Sequence, residues 1–291
     1  MEDYSGRRKP VTLPGGARIC VSVTIAFEGF LYHSHYNHSA SKPGQKNPFS
    51  LSYGDYAAKV GVWRILDVLE RNGITATFDI GGLAAERHPH VMRALRDGGH
   101  EAAGHGWAND VRVDENNPEA ELKQIRDTLA AIAAGYGERP VGWVSQGSVG
   151  STQTWQMCAD EGMLWNGDDA SEDMPFVRLF GGKPMVILPR VNFPTNDLIV
   201  WQQPQNPPSA YYEGFKETFD YLYEEGKQGS PKWVDLLLHS DIGGRPTLIG
   251  AFERALKYAK QTERVWFARR RDLAAQVLKQ EQPKHATART A

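Results

Sequence analysis

Apolar residues recur along this chain in two alternating rhythms, short runs of branched residues and longer amphipathic stripes. Residues 18–27 read as a β-strand rich in valine and isoleucine. Residues 53–71 follow as a helix, with Val60, Trp63, Leu66 and Leu69 on one stripe and Asn72-Gly73 as its stop. Residues 74–80 form the next strand, ended by Gly81-Gly82, then a short helix at 88–97 and a short strand at 101–104. Asn117-Pro118 opens a clear helix, asparagine as N-cap and proline at the first helical position, with Leu122, Ile125, Leu129 and Ile132 leading to Gly135. Strands at 141–145, 163–166, 185–188, 233–238 and 265–268 continue the alternation, with helices at 152–161, 212–225, 248–260 and 272–278. The polar tail from Glu281 is expected to fray.

Strands alternating with helices imply parallel pairing and a sheet covered by helices. Seven or eight such units suit a barrel better than an open doubly wound sheet, although periodicity alone leaves both open. No repeat and no linker divides the chain, so one domain is expected, with its core at about 13–278. The segment 29–52 is the main exception. It is rich in Gly, Pro, Ser, Asn and aromatics, and Phe30, Tyr32, Tyr36 and Phe49 predict packing against the domain or a neighbouring subunit.

Composition narrows the function. A length of 291 residues can bury a full core, and a net charge of −2 gives no electrostatic footprint for nucleic acid or an anionic membrane. The two cysteines, Cys20 and Cys158, are too few for a disulfide framework. Residues 1–9 are charged without an apolar core, and no run approaches the roughly 18 apolar residues of a membrane span. A cytoplasmic protein without nucleic-acid or membrane partners is expected.

Parallel α/β proteins place chemistry where strands end. Those positions hold Glu28, Asp79, His105, Ser145 with Gln146, Asp168 with Asp169, and His239 with Asp241. Two imidazoles among several carboxylates suit acid–base hydrolysis or a mononuclear metal site. His239 ends an apolar run and precedes Gly243-Gly244. His100 and His105 lie five apart in an extended segment, so they point to opposite faces, and His105 is the site candidate. Asp79 reads equally as a site carboxylate or a buried strut. His33, His35 and His38 read first as solvated loop histidines, with His35 the best placed to reach a ligand. Trp107 is a packing residue or a substrate wall, and Arg269-Arg270-Arg271 reads as a solvated basic cluster. Residues 145–150 lack the spacing of a nucleophile elbow.

At this point the chain resembles the polysaccharide deacetylase superfamily, and within it the branch of cofactor-independent allantoinases. The resemblance spans about 13–278. It rests on Leu13-Pro-Gly-Gly-Ala-Arg18, Gly61-Val-Trp-Arg64, Gly73-Ile-Thr-Ala-Thr-Phe78, Gly99-His-Glu101 with His105-Gly-Trp107, Arg139-Pro-Val-Gly-Trp143, Thr195-Asn-Asp197, Leu238-His239 and Gly244-Arg-Pro246. It implies a distorted (β/α)7 barrel and hydrolysis of a non-peptide C–N bond. In such deacetylases an Asp and two histidines hold a divalent metal, usually zinc, a second Asp acts as base, and a late histidine protonates the leaving nitrogen. Glu28 falls at the metal-ligand Asp, His105 at the first histidine and His239 at the acid. Three positions depart. The base position is Ala26, the second metal histidine is Asn109 with Asp110 beside it, and Val144-Ser-Gln146 stands where an arginine is expected. The allantoinase branch, by the same resemblance, works without metal and forms a tetramer.

The expectation is a hydrolase of a small amide, ureide or cyclic imide. Glu28 or His105 positions and deprotonates water, and His239 protonates the departing nitrogen. His35, Asp79, Trp107, Gln146 and Asp241 contact the substrate, and backbone N–H groups near Gly106 and Gln146 hold the oxyanion. The alternatives are a zinc N-deacetylase of an acetylated amino sugar using Glu28, His105 and Asp110, a silent ligand-binding homologue, or a non-hydrolytic activity on the same barrel. A homo-oligomer is expected from the aromatic loop and the resemblance.

Overall fold

The computed structural model describes residues 11–36 and 44–287, with side chains as far as 280. His38 lies outside the described residues. The strands are β1 (Ile19–Phe27), β2 (Thr77–Ile80), β3 (Glu101–Gly104), β4 (Gly142–Trp143), β5 (Trp165–Asn166), β6 (Phe176–Phe180), β7 (Lys183–Ile187), β8 (Lys232–His239) and β9 (Val265–Phe267). They form one nine-stranded sheet in the order β6-β7-β5-β4-β3-β2-β1-β8, with β9 also on β1. From β7 to β8 every pairing along this order is parallel, whereas β6 and β7 form an antiparallel hairpin at the edge. The sheet curls without closing: across the seam between β7 and β8, among the described residues, a single bridge joins Asn196 to Leu237. The architecture is therefore a single α/β domain built on a curled half-barrel, the distorted form of the expected barrel.

The helices are α1 (Pro48–Tyr56), α2 (Val62–Asn72), α3 (Gly82–Arg87), α4 (Pro89–Asp97), α5 (Pro118–Tyr136), α6 (Thr154–Asp160), α7 (Ser209–Lys227), α8 (Pro246–Lys260) and α9 (Arg270–Thr287). Most sit where the apolar stripes predict them, and Asn117 caps α5 by accepting from the Ala120 N–H at 3.1 Å. Some boundaries differ. Gly135 lies inside α5, against Met92, and the helix ends two residues later at Gly137, which takes the left-handed conformation at φ 94°. The strand at 176–180 was not predicted, because Phe176-Val-Arg-Leu-Phe180 shows no apolar–polar alternation and lies largely unburied at the sheet edge. The backbone of α9 continues to Thr287, beyond the Glu281 at which fraying is expected. The segment 29–52 is not one loop, since α1 begins at Pro48; Phe30 is buried and Tyr36 stacks on Tyr53. No helix among the described residues is long and apolar enough to cross a membrane.

The period of two in the strands sorts their side chains between two environments. In β1, Ile19, Val21, Val23, Ile25 and Phe27 join the apolar layer under the helices, with Val234, Leu236 and Leu238 of β8 and Phe78 and Ile80 of β2. The other face carries Ser22, Thr24 and Ala26, and continues to Glu28. Ser22 and Thr24 donate to Asp235 Oδ1, each at 2.8 Å. Parallel register puts Asp79 and His239 on either side of Ala26. The barrel interior thus carries a polar layer above apolar residues such as Cys20 and Trp233 at the strand starts, and its chemistry rises along alternate residues toward the strand ends.

At the base of that interior sits Arg270, which opens α9 with its backbone N–H donating to Thr77 Oγ1. Its guanidinium is buried, pairing with Asp235 at 2.7 Å and Asp79 at 3.2 Å. This corrects the reading of residues 269–271 as a solvated cluster: the middle arginine turns inward while its neighbours remain at the surface.

Candidate active site

Glu28 follows β1 directly, and its carboxylate lies buried between imidazoles from different parts of the chain. His105, at the end of β3, donates through Nδ1 to the Val144 carbonyl at 2.8 Å and meets Glu28 Oε1 through Nε2 at 3.0 Å. With Nδ1 already carrying a proton, the second contact is a hydrogen bond only if Nε2 carries one too, so the pair is an imidazolium and a carboxylate. His35, from the loop after β1, sets Nε2 at 3.1 Å from Glu28 Oε2 and Nδ1 at 3.1 Å from Asp241 Oδ2. Glu28 Oε2 nevertheless lies off the direction of a hydrogen bond and has no hydrogen-bond partner among the described residues. The rings of His35 and His239 meet edge to face, centroids 4.6 Å apart.

These contacts set the charges. Burial raises the Glu28 carboxyl, but the charge of His35 and the hydrogen bond from His105 outweigh it and hold the group at about 2. Burial lowers His35, yet Asp241 and Glu28 carry it up to about 9. His105 likewise stands above its ordinary value, burial being overcome by the hydrogen bond and charge of Glu28. Asn109 Nδ2 lies 3.1 Å from His35 Nε2, and its Oδ1 has no partner. With His35 protonated, reversing that amide turns an N–H facing an N–H into a hydrogen bond.

His239 is fixed from the seam between β7 and β8. Residues 192–197 run through this seam: Asn192 donates to Asp235 at 2.8 Å, and the Thr195 hydroxyl donates to the Asp235 carbonyl at 2.5 Å. The segment ends in Asp197, whose Oδ1 accepts from His239 Nδ1 at 2.6 Å. His239 Nε2 has no hydrogen bond among the described residues and stands on the wall of a cavity of about 630 Å³.

That cavity is lined by Glu28, His33, His35, Asp79, His105, Asn109, Asp110 and His239, together with Arg112, Ser148, Arg190 and Asn192. Of the residues expected at the site, the structure gathers Glu28, His35, His105 and His239 around one point, with Asp241 behind His35. It does not bring Trp107 or Gln146 to the wall. Trp107 lays its ring over Gly82, where a Cβ would come within 2.5 Å of it. Gln146 turns away and donates to the Val111 carbonyl at 2.9 Å. Asp110 reaches the wall, but its carboxylate accepts from the backbone N–H groups of Leu31, Tyr32 and His33. A carboxylate already holding a loop in this way is unsuited to complete a metal triad with Glu28 and His105, which corrects that expectation. Asp197, Arg190 and Arg112 were not among the expected site residues. Asp197 had a signal, being part of the Thr195-Asn-Asp197 motif.

A different donor set converges. Glu28, His35 and His239 each present a ligand atom, all within 4.8 Å of one another. The set fits a divalent cation. Glu28 Oε2 is an orphaned buried oxygen, and Asp241 and Asp197 occupy the far nitrogens of the two rings, as carboxylates do behind metal-bound histidines.

A site of this kind at the C-terminal ends of a curled parallel sheet belongs to a barrel hydrolase acting on C–N bonds, and the comparisons with known proteins agree. The sequence pattern described as polysaccharide deacetylase matches residues 41–164. The chain is 26% identical over 278 residues to a putative polysaccharide deacetylase of Schizosaccharomyces pombe, covering 89% of this chain and 85% of that one. A probable polysaccharide deacetylase from Pseudomonas aeruginosa PAO1 superposes with a TM-score of 0.84 at 29% identity, covering 94% of this chain and 95% of that one. The Puue allantoinase superposes with a TM-score of 0.83 at 30% identity, covering 94% of each chain. The chain belongs to the polysaccharide deacetylase family.

Proposed function

We propose that the protein hydrolyses the C–N bond of a small amide, ureide or cyclic imide. The observation that carries this reading is the enclosure of the Glu28, His35, His105 and His239 cluster in a cavity of about 630 Å³, sized for a small molecule. Likeness to an allantoinase over nearly the whole chain supports it.

The roles follow from the contacts. Glu28, held at about 2, is fully ionised and a poor proton acceptor; it fixes the imidazolium rings of His35 and His105. Water must lose its proton elsewhere. Asp110 is occupied by three amides, which leaves Asp79 among the cavity carboxylates. Burial raises Asp79 above its ordinary value against the pull of Arg270, as suits a base. Its register beside Ala26 puts a carboxylate one strand away from where the family resemblance expects one. His239 gives the Nε2 proton to the departing nitrogen while Asp197 keeps Nδ1 protonated. The cationic rings of His35 and His105 stabilise the developing oxyanion through their charge.

A metal-dependent deacetylase is the second reading, favoured by the donor set of Glu28, His35 and His239. A divalent cation there would supply Lewis-acid polarisation of the carbonyl. Holding it would use His239 Nε2, the same atom that protonates the leaving nitrogen, so the two uses exclude each other. Elemental analysis and turnover of a panel of ureides, cyclic imides and N-acetylated sugars before and after chelation separate them. Activity on a ureide or imide that survives chelation supports the first reading, and activity restored only by added metal supports the second.

A further inference from the structure

Two guanidinium groups on the cavity wall have no role in this chemistry. Arg190 lies behind β7, and its hydrogen bonds go to Ser148 Oγ at 2.5 Å, the Gly167 carbonyl at 3.3 Å and the Ser145 carbonyl at 3.4 Å. No carboxylate among the described residues pairs with it. Asp168, the acid whose charge acts most strongly on Arg190, directs its oxygens to the N–H and hydroxyl of Ser145 and to Asn166. Arg112 packs across Gly147, where a Cβ would fall 2.1 Å from its Nη1, and it too has no ion pair among the described residues.

Both guanidiniums converge on one turn, and that turn is strained to receive them. Gly147 and Ser148 are consecutive left-handed residues, at φ 57° and φ 62°. Serine pays roughly 1 kcal/mol for that conformation, a cost that persists only where the surroundings require it. Here it turns Ser148 Oγ toward Arg190 and leaves room for Arg112. Arg112, Gly147, Ser148 and Arg190 all line the cavity that holds Glu28 and His239. Strand order separates the two ends of the site: Arg190 bonds groups just beyond β4 and β5, whereas Glu28 and His239 stand on β1 and β8. A half-buried guanidinium on a cavity wall, with unspent donors and no carboxylate partner among the described residues, is an anion receptor.

We propose that Arg190, with Ser148 and Arg112, binds a carboxylate of the substrate, so that the amide hydrolysed is one arm of an anionic small molecule. The proposal rests on the hydrolase reading for the reaction but not for the binding. Three N-acetyl ω-amino acids, built on glycine, β-alanine and γ-aminobutyrate, and their neutral C-terminal amides are the probes. Their equilibrium affinities are measured by calorimetry on wild type, R190Q, R190K and R112Q. At least one acid binds wild type on the order of 10- to 100-fold tighter than its amide. R190Q erases that preference, R190K retains part of it, and R112Q, at an exposed side chain, reduces it severalfold. Equal affinity for acids and amides, no binding of any acid, or a preference that survives both R190Q and R112Q overturns the proposal. Release of amine is followed in separate samples with the panel of ureides and imides included. Acid-selective binding without turnover of any compound upholds the anion site and removes the hydrolase reading.

Discussion

Asp197 clasps His239 through both of its oxygens, Oδ1 accepting from Nδ1 at 2.6 Å and Oδ2 from the backbone N–H at 2.8 Å. Ring and backbone are therefore held by one carboxylate, which fixes the tautomer and leaves Nε2 for the substrate. In D197N the amide can keep the backbone contact, but its NH2 turns toward Nδ1 and reverses the tautomer. A fall in kcat of about 100-fold or more, with KM little changed, is expected on any substrate of the enzyme. An unchanged kcat in folded D197N would remove His239 as the acid.

Asp79 gives a test by relocation. D79N lowers kcat by about 100- to 10,000-fold if the carboxylate takes the proton of water. Because Ala26 is its neighbour in the parallel register, A26D in the D79N background returns a carboxylate one strand away and restores part of the loss. A pH–rate profile for each variant distinguishes this from simple repair of packing, since a relocated base shifts the acid limb.

Arg270 ties Asp79 and Asp235 together inside the barrel. R270M leaves both carboxylates buried without their cation. A loss of about 3–5 kcal/mol in urea unfolding is expected, as for other buried pairs with one partner removed. Methionine keeps much of the apolar length, so a loss under about 1 kcal/mol would mean that Asp235 is satisfied by Ser22, Thr24 and Asn192 alone.

His100 sets a stability limb on the acid side. It accepts the Ala76 N–H at 3.1 Å and is held neutral, burial and then Arg269 lowering it to about 4. The unfolded chain binds this proton near pH 6.5, the folded chain only near 4. Its contribution is therefore complete above about pH 6.5 and is lost as pH falls toward 4, amounting to about 3 kcal/mol at most. H100N keeps an acceptor near Ala76 but no titrating ring, so its urea midpoint should fall less steeply than wild type over that interval.

The strand-end reading found Glu28, His105 and His239 because an ionisable residue after an apolar run is legible in one dimension. It left Asp79 open between a site carboxylate and a buried strut and placed Arg270 at the surface, because it treated each strand as uniformly apolar. Ser22, Thr24, Asp235 and Asp79 alternate with the apolar residues, and that alternation marks a polar interior in which an arginine can be buried. Asp197 and Arg190 were harder. They flank an irregular seam segment whose position depends on the curl of the whole sheet, which no local pattern encodes. Asp110 stood next to a motif position, yet its orientation toward three amides could be known only from the fold of the loop after β1.

The shared edge of β1 has a consequence for how the chain comes to be active. On one side β1 pairs with β9 through Ile19, Cys20 and Val21, then with β2 through residues 24–27, and on the other with β8 along residues 19–26. The first strand thus waits for segments more than 200 residues later before its ladder is complete. Such non-local pairing slows folding, and during synthesis β1 remains an open edge until β8 and β9 have been made. Glu28 follows that strand directly, so the carboxylate of the cavity is set in place only when segments more than 200 residues apart have met.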